Sequence, residues 1–306
     1  MDFDNSWDAL LKPGKATVYF DGLNDKDFRV NATDYSRINA WWLAEFSRLV
    51  YRQEADEIKE KFTGPTRQEI LARVDLEEVQ FFNKVEKHRG DTQCAIVKTL
   101  AGAAAPFAVL VFRGTTNLMD WLTNIQTRPV NWQGAGLIHE GFRDALELVW
   151  DDVKVVLEQL EQIKCPLFYT GHSLGAALAT LAASLKPPQA LYTFGSPLTG
   201  DAELAKSLSG VKVYRVVNNR DVVTTVPPPL AFHHLGELHY ITHNSEMLID
   251  PDDTAIALDR LKGDHLSIFS RDWHKHFTDA PEYLADHAPV NYVAHLEQFF
   301  RQAPDA

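Results

Sequence analysis

Residues Gly171-His172-Ser173-Leu174-Gly175 set a serine between two glycines, and the flanking residues give that spacing its meaning. Leu167-Phe168-Tyr169-Thr170 is strand-like and Ala176 to Leu185 is strongly helical, so the serine falls on a strand-turn-helix corner. Glycines on both sides let strand and helix approach while the hydroxyl projects from the sheet edge. The helix that follows points its N-terminus, with free backbone N–H groups, at the same place, which favours developing negative charge. A serine so placed can attack an acyl carbon, with the Leu174 N–H donating to the oxyanion. Serine is also a preferred N-cap, so a plain capping turn is the competing reading of the same five residues.

A serine hydroxyl is a weak nucleophile without a histidine to take its proton and a carboxylate to orient that histidine. At such a corner the chain order is Ser, acid, His. Asp221 follows the strand-like Val211 to Val217 through Asn218-Asn219-Arg220, at a strand's C-terminal end, where open α/β sheets build their sites. Asp201 reads instead as a helix cap, and Asp250, Asp252 and Asp253 share a polar loop with no strand just before it. Among the later histidines, His287 lies in Asp286-His287-Ala288-Pro289, just before the closing helix, with Pro289 suited to its first turn. His233, His234, His239 and His243 surround a strand-like Leu238 to Thr242 and read as packing or surface residues, while His295 falls inside the closing helix. His274 and His276 form an H-x-H pair with no adjoining acidic or Cys pattern, so no metal is expected. An exposed loop residue is the competing reading of His287, with His265, His274 and His276 as the other candidate bases.

These residues need a scaffold, and the hydrophobic pattern supplies one. Cys94 to Leu100, Phe107 to Phe112, Leu167 to Thr170, Ala190 to Phe194 and Val211 to Val217 are short apolar runs bounded by Gly, Pro or Asn, predicted as buried strands. Helical patterns cover Tyr35 to Tyr51, Thr66 to Leu76, Phe142 to Gln162 and Leu174 to Leu185. Alternating strand and helix implies an α/β architecture, a mostly parallel sheet flanked by helices. At 306 residues, without repeats or low-complexity stretches, the chain is expected to form one domain, 1–306.

Composition removes several classes of partner. A net charge of -12, spread along the chain, argues against nucleic acid. No apolar run is long enough to span a bilayer, so stable membrane insertion is not expected. Met1 to Lys15 lacks the basic patch and apolar stretch of a signal peptide, which fits a cytoplasmic chain or a secreted one already processed. The two cysteines, Cys94 and Cys165, are expected to be free, buried thiols.

In their joint order these motifs resemble the class 3 lipase family, which includes the fungal triacylglycerol lipases and belongs to the α/β-hydrolase superfamily. The resemblance starts at Asn39-Ala40 and Leu43-Ala44-Glu45-Phe46-Ser47 and continues through Phe112-Arg113-Gly114-Thr115, Asp120-Trp121 and His139-Glu140-Gly141-Phe142. It then takes in the serine motif, Thr193-Phe194-Gly195-Ser196-Pro197, Gly200-Asp201, Asp221 with Val226-Pro227-Pro228, and Asp286-His287 with Val290 and Tyr292. The resemblance implies a Ser173–Asp221–His287 triad hydrolysing fatty-acyl esters, with Thr115 joining Leu174 in the oxyanion hole and no cofactor. It also implies a lid over about 116–136, where Leu118 and Trp121, together with His172 beside the nucleophile, are the expected substrate-binding residues. A phospholipase of the same fold and a catalytically silent binding protein are the alternatives. The fungal disulfides have no counterpart here, and about 243–271 is an insertion that the family pattern does not place.

Overall fold

Residues 108–112 read Ala-Val-Leu-Val-Phe, and an extended chain points neighbouring side chains to opposite faces. Val109 and Val111 accordingly enter one apolar core, and Ala108, Leu110 and Phe112 enter another on the far side of the sheet. All five are buried, as expected of a central strand covered on both faces. The computed structural model describes residues 2–23, 27–53, 64–86, 90–115, 117–125, 128–229, 231–269 and 279–305, with the side chains of 124 and 263–269 outside that set.

The strands in chain order are β1 (Leu76–Glu86), β2 (Gly90–Thr99), β3 (Ala108–Phe112), β4 (Pro129–Asn131), β5 (Leu137–His139), β6 (Leu167–His172), β7 (Ala190–Phe194), β8 (Lys212–Asn218), β9 (Glu237–Ile241) and β10 (Met247–Ile249). Eight of them form one sheet, ordered β1-β2-β3-β6-β7-β8-β9-β10, while β4 and β5 pair separately. The run from β3 to β9 is parallel, and the outer pairs β1–β2, β2–β3 and β9–β10 are antiparallel. The helices are α1 (Trp7–Leu11), α2 (Arg37–Leu49), α3 (Arg67–Ala72), α4 (Leu118–Asn124), α5 (Glu140–Glu147), α6 (Trp150–Gln162), α7 (Leu174–Leu185), α8 (Ala202–Ser207), α9 (Asp253–Phe269), α10 (Glu282–Ala285) and α11 (Pro289–Gln302). Apolar residues of α2 and α11 cover one face of the sheet, and those of α5, α6 and α7 cover the other. This is the α/β architecture expected from the strand-helix alternation, a mostly parallel sheet flanked by helices, and it fits the α/β-hydrolase fold that the resemblance implies.

Two helices bury more than a single stripe, and each has its own chemistry. From Ile38 to Leu49 every residue of α2 is buried, including Glu45 and Arg48. Those two charges pair at 2.7 Å, and Glu45 also accepts from the Phe20 N–H at 3.0 Å, which offsets the cost of burying them. In α7 the buried stretch Gly175 to Ala183 is mostly Gly and Ala, small enough for the helix to lie against β3, β6 and β7.

Three expectations shift. The helix predicted through Leu76 ends at Ala72, and after a turn with Asp75 at φ +59° the chain enters β1, an edge strand whose charged, exposed residues hid its period. The helix predicted over 142–162 is two helices, α5 and α6, broken near Leu148-Val149. The unplaced stretch after His243 contributes β10, which extends the sheet edge, and α9. Cys94 is buried and Cys165 only half-buried, both free.

Candidate active site

β6 ends at His172 and α7 begins at Leu174, leaving Ser173 alone at the corner with φ +60° and ψ -132°, a conformation that non-glycine residues rarely hold. The glycines are required by contact. A Cβ on Gly171 would lie 2.3 Å from the Gly175 carbonyl, and one on Gly175 would lie 2.2 Å from the Phe112 oxygen. The Ser173 N–H donates to the Phe194 carbonyl at 3.0 Å, tying the corner to β7. Its hydroxyl makes no capping bond to α7 and is buried without any hydrogen-bond partner, so the plain capping turn does not describe it.

Asp221 lies on the loop after β8 and is fully buried. Its Oδ1 accepts from the Val223 N–H at 2.9 Å, and its Oδ2 faces His287 Nδ1 at 2.8 Å and accepts from the Tyr292 hydroxyl at 2.6 Å. His287 sits between α10 and α11, is 2 % exposed, and leaves Nε2 without a partner. A carboxylate on Nδ1 selects the tautomer with the proton there, so Nε2 carries the lone pair. Gly195, at φ +58°, lies directly under the pair: a Cβ on it would meet Asp221 Oδ2 at 2.6 Å and His287 Nδ1 at 3.0 Å. Gly195 follows Phe194, the residue bonded to Ser173, so one short turn underlies all three side chains.

The competing carboxylates and histidines have other work. Asp201 caps α8, accepting from the Glu203 and Leu204 N–H groups at 3.0 and 3.1 Å. Asp250 accepts from the Leu238 N–H and Asp252 from the Ala255 N–H. His234 binds the Thr224 carbonyl at 2.7 Å, and burial lowers its pKa to about 3. His239 stacks on Tyr35 at 3.6 Å, His243 pairs with Asp259 at 2.5 Å, and His295 lies between Phe3 and Phe299. The side chain of His265 and all of His274 and His276 lie outside the described residues. Among the described residues no group of three or more His, Cys, Asp or Glu is placed to hold a metal ion.

Thr115 follows β3, and its Oγ1 accepts from the Asn117 N–H at 3.1 Å. Thr115 and Leu174 together line a cavity of about 490 Å³ whose apolar wall includes Trp121, Ile125, Phe142 and Ala145. Trp121 stacks against Phe142 with centroids 6.5 Å apart. A separate cavity, about 1020 Å³, lies elsewhere, bounded by residues 28–37 and the starts of β8 and β9.

Two of the expected substrate-binding side chains do other work. Leu118, 4 % exposed, is packed with Leu10, Val223 and Leu284 and does not line the 490 Å³ cavity. His172 is buried with both ring nitrogens engaged, Nδ1 by the Tyr51 hydroxyl at 3.0 Å and Nε2 by the His287 carbonyl at 2.7 Å. Burial, then the neighbouring His287 ring, hold its pKa well below the usual histidine value. Tyr51 and Tyr292 received no role from the sequence. The only signals were that Tyr51 ends the first predicted helix pattern and that Tyr292 falls in the motif after His287.

The comparisons with known proteins agree with this geometry. Residues 109–231, from β3 to beyond Asp221, match the family model described as Lipase (class 3). The chain is 35% identical over 152 residues to a lipase of Rhizomucor miehei, covering 44% of this chain and 42% of that protein. Over that stretch the chain is similar to the class 3 lipase family. It is also 32% identical over 148 residues to a chloroplastic phospholipase A(1) of Arabidopsis thaliana, covering 39% of this chain and 33% of that one. The solved Rhizomucor miehei triacylglyceride lipase superposes with a TM-score of 0.50 at 29% identity, over 57% of this chain and 70% of that one. The chain spans about half, or less, of the length of the curated relatives it matches.

Proposed function

We propose that the chain is a serine ester hydrolase acting on fatty-acyl esters such as acylglycerols, with Ser173 as nucleophile, His287 as base and Asp221 as its orienting carboxylate. The observation that carries this reading is the buried Asp221–His287 pair at 2.8 Å, whose Nε2 has no partner, together with a strained serine at the strand-helix corner whose hydroxyl has none either. His287 Nε2 takes the Ser173 proton as Oγ attacks the ester carbonyl, and returns it to the leaving alkoxide, which departs as the alcohol. Water then attacks the acyl-enzyme, gives its proton to Nε2, and releases the acid with Ser173 restored. The Leu174 and Thr115 N–H groups are the proposed oxyanion donors.

An acyl chain is the substrate part that suits the apolar Trp121–Phe142 wall of this cavity, which adjoins Thr115 and Leu174, while Asp91, Arg128, Glu140 and Asp144 line other parts of it. The named activities of the relatives, lipase and phospholipase A(1), share that fatty-acyl ester and differ in the rest of the molecule. Ser173 is 1 % exposed, so an ester reaches it only after a piece of the protein moves. The proposed piece is α4, which rests on α1 and α10 through Leu118, Trp121 and Leu122.

The test is hydrolysis of p-nitrophenyl esters from short to long acyl chains by wild type, Ser173→Ala and His287→Ala. Both variants should lose several orders of magnitude in kcat, as removal of members of such a unit does. An inactive wild type leaves the silent binding protein as the reading, and an active Ser173→Ala removes the serine mechanism.

A further inference from the structure

The residue before the nucleophile and a tyrosine on the opposite side of the corner form a bonded path that ends on the base. The His287 carbonyl can only accept, so the His172 nitrogen 2.7 Å from it, Nε2, carries the proton. Nδ1 is then a lone pair, and the Tyr51 hydroxyl 3.0 Å away must donate to it. The Gly114 N–H in turn faces the Tyr51 oxygen, and the fit there is close, since a Cβ on Gly114 would lie 2.1 Å from that oxygen. Gly114 precedes Thr115, the proposed oxyanion donor. The path therefore runs from the oxyanion turn through Tyr51 and His172 to the backbone of His287.

We propose that Tyr51 and His172 are positioning residues that hold the main chain of His287 in register with the Gly114-Thr115 turn, His172 acting as a neutral donor to the His287 carbonyl. The proposal rests on the ester-hydrolase reading above. Three features of the site call for such a brace. His287 lies on a short link between α10 and α11, and its side chain is held by a single bond, to Asp221. The His172 and His287 rings lie 4.4 Å apart, so a charged His172 would oppose the imidazolium that forms on His287 during the reaction. Donation from Tyr51 occupies the one nitrogen where that charge could arise. Both braces are buried: His172 is 2 % and Tyr51 6 % exposed, and burial holds the Tyr51 phenol protonated by raising its pKa.

The experiment is turnover per active serine, with sites counted by stoichiometric labelling with a p-nitrophenyl phosphonate. A stability role lowers the number of labelled sites and leaves kcat per site unchanged. A positioning role lowers kcat per site with KM little changed, because misplacing a reacting group by a fraction of an ångström costs about ten- to a hundredfold. His172→Phe, which keeps a planar ring and loses the donor, should fall by about that much. His172→Gln, whose amide nitrogen can reach the place of Nε2, should recover to within about threefold of wild type. Tyr51→Phe should lie between them, and it keeps the question open to test if His172→Phe does not fold. Unchanged kcat per site in Tyr51→Phe and His172→Phe, or equal losses in the Phe and Gln variants, overturns the proposal. Wild type that takes no label at Ser173 instead overturns the hydrolase reading, a separate result.

Discussion

The Tyr292 hydroxyl and His287 Nδ1 share one oxygen of Asp221, at 2.6 and 2.8 Å. Asp221 has no exposed surface, and a buried carboxylate without donors is costly. Three donors surround it here: Val223 N–H on Oδ1, and Tyr292 and His287 on Oδ2. Tyr292 also accepts from the Asn218 N–H at 3.1 Å, so one phenol joins the end of β8 to the carboxylate and to α11.

Tyr292→Phe should therefore act on stability and on turnover together. Losing a hydrogen bond to a charged group and orphaning the Asn218 N–H costs about 1.5–3 kcal/mol, read as a lower urea midpoint with an unchanged slope. Turnover of a short p-nitrophenyl ester should fall about tenfold, since Asp221 keeps its other two donors. A variant as stable and as active as wild type would show that Tyr292 is dispensable to the carboxylate.

Gly195 gives a sharper test of the same pair. Alanine at φ +58° costs roughly 1–2 kcal/mol in backbone conformation alone. Its Cβ would also fall 2.6 Å from Asp221 Oδ2 and 3.0 Å from His287 Nδ1, so the pair must shift. Gly195→Ala should lose about a hundredfold in kcat, with a melting temperature several degrees lower. Near-normal kcat would mean that the Asp221–His287 spacing seen here is not the one that turnover needs.

The parts of this site that were legible in the sequence are those with local signatures. Gly171 and Gly175 flank Ser173 because backbone passes within van der Waals contact of both, and such contacts leave a pattern in the letters. Asp221 was legible from the strand before it, since apolar Val211 to Val217 can end only at a sheet edge. Tyr51 and Tyr292 were not. Their roles come from contacts 121 and 71 residues away in the chain, to His172 and Asp221. A buried tyrosine used for its ring and one used for its hydroxyl look the same in a helix pattern. His172 shows the same limit: its position beside the nucleophile suggested substrate contact, whereas its partners are Tyr51 and the His287 backbone. In the fold, β1 was missed because an edge strand lacks the buried alternation that marks β3.

The Trp121–Phe142 wall makes a prediction about acyl chain length. Trp121→Ala removes apolar surface from the 490 Å³ cavity and leaves Thr115 and Leu174 in place. If acyl chains lie against the indole, kcat/KM for a C10–C12 ester should fall about ten- to a hundredfold, the size of roughly 1.5–3 kcal/mol of lost burial. An acetate ester should be nearly unaffected. Equal losses for both esters would place the acyl chain elsewhere and assign Trp121 to seating α4.

Asp286, beside the proposed base His287 in sequence, sets a pH dependence with a definite sign. Burial, with a smaller contribution from the Asp221 charge, raises its pKa to about 7, while its bond from the Arg220 N–H at 3.0 Å opposes the shift. The folded value lies above the unfolded value of about 4, so the folded state binds the proton more tightly. The stability this group contributes is full below about pH 4 and is lost as the pH rises toward 7, with no further change above. Asp286→Asn keeps an oxygen for Arg220 and cannot ionise. It should therefore exceed wild type in stability at pH 8 by about 1–3 kcal/mol, less than the full shift implies because the residue remains half-buried. Urea unfolding of the two proteins at pH 4.5, 6 and 8 measures this, and the gap should close on going down the series. A gap that is constant with pH, or that opens toward acid, would show that Asp286 is ionised in the folded protein across this range.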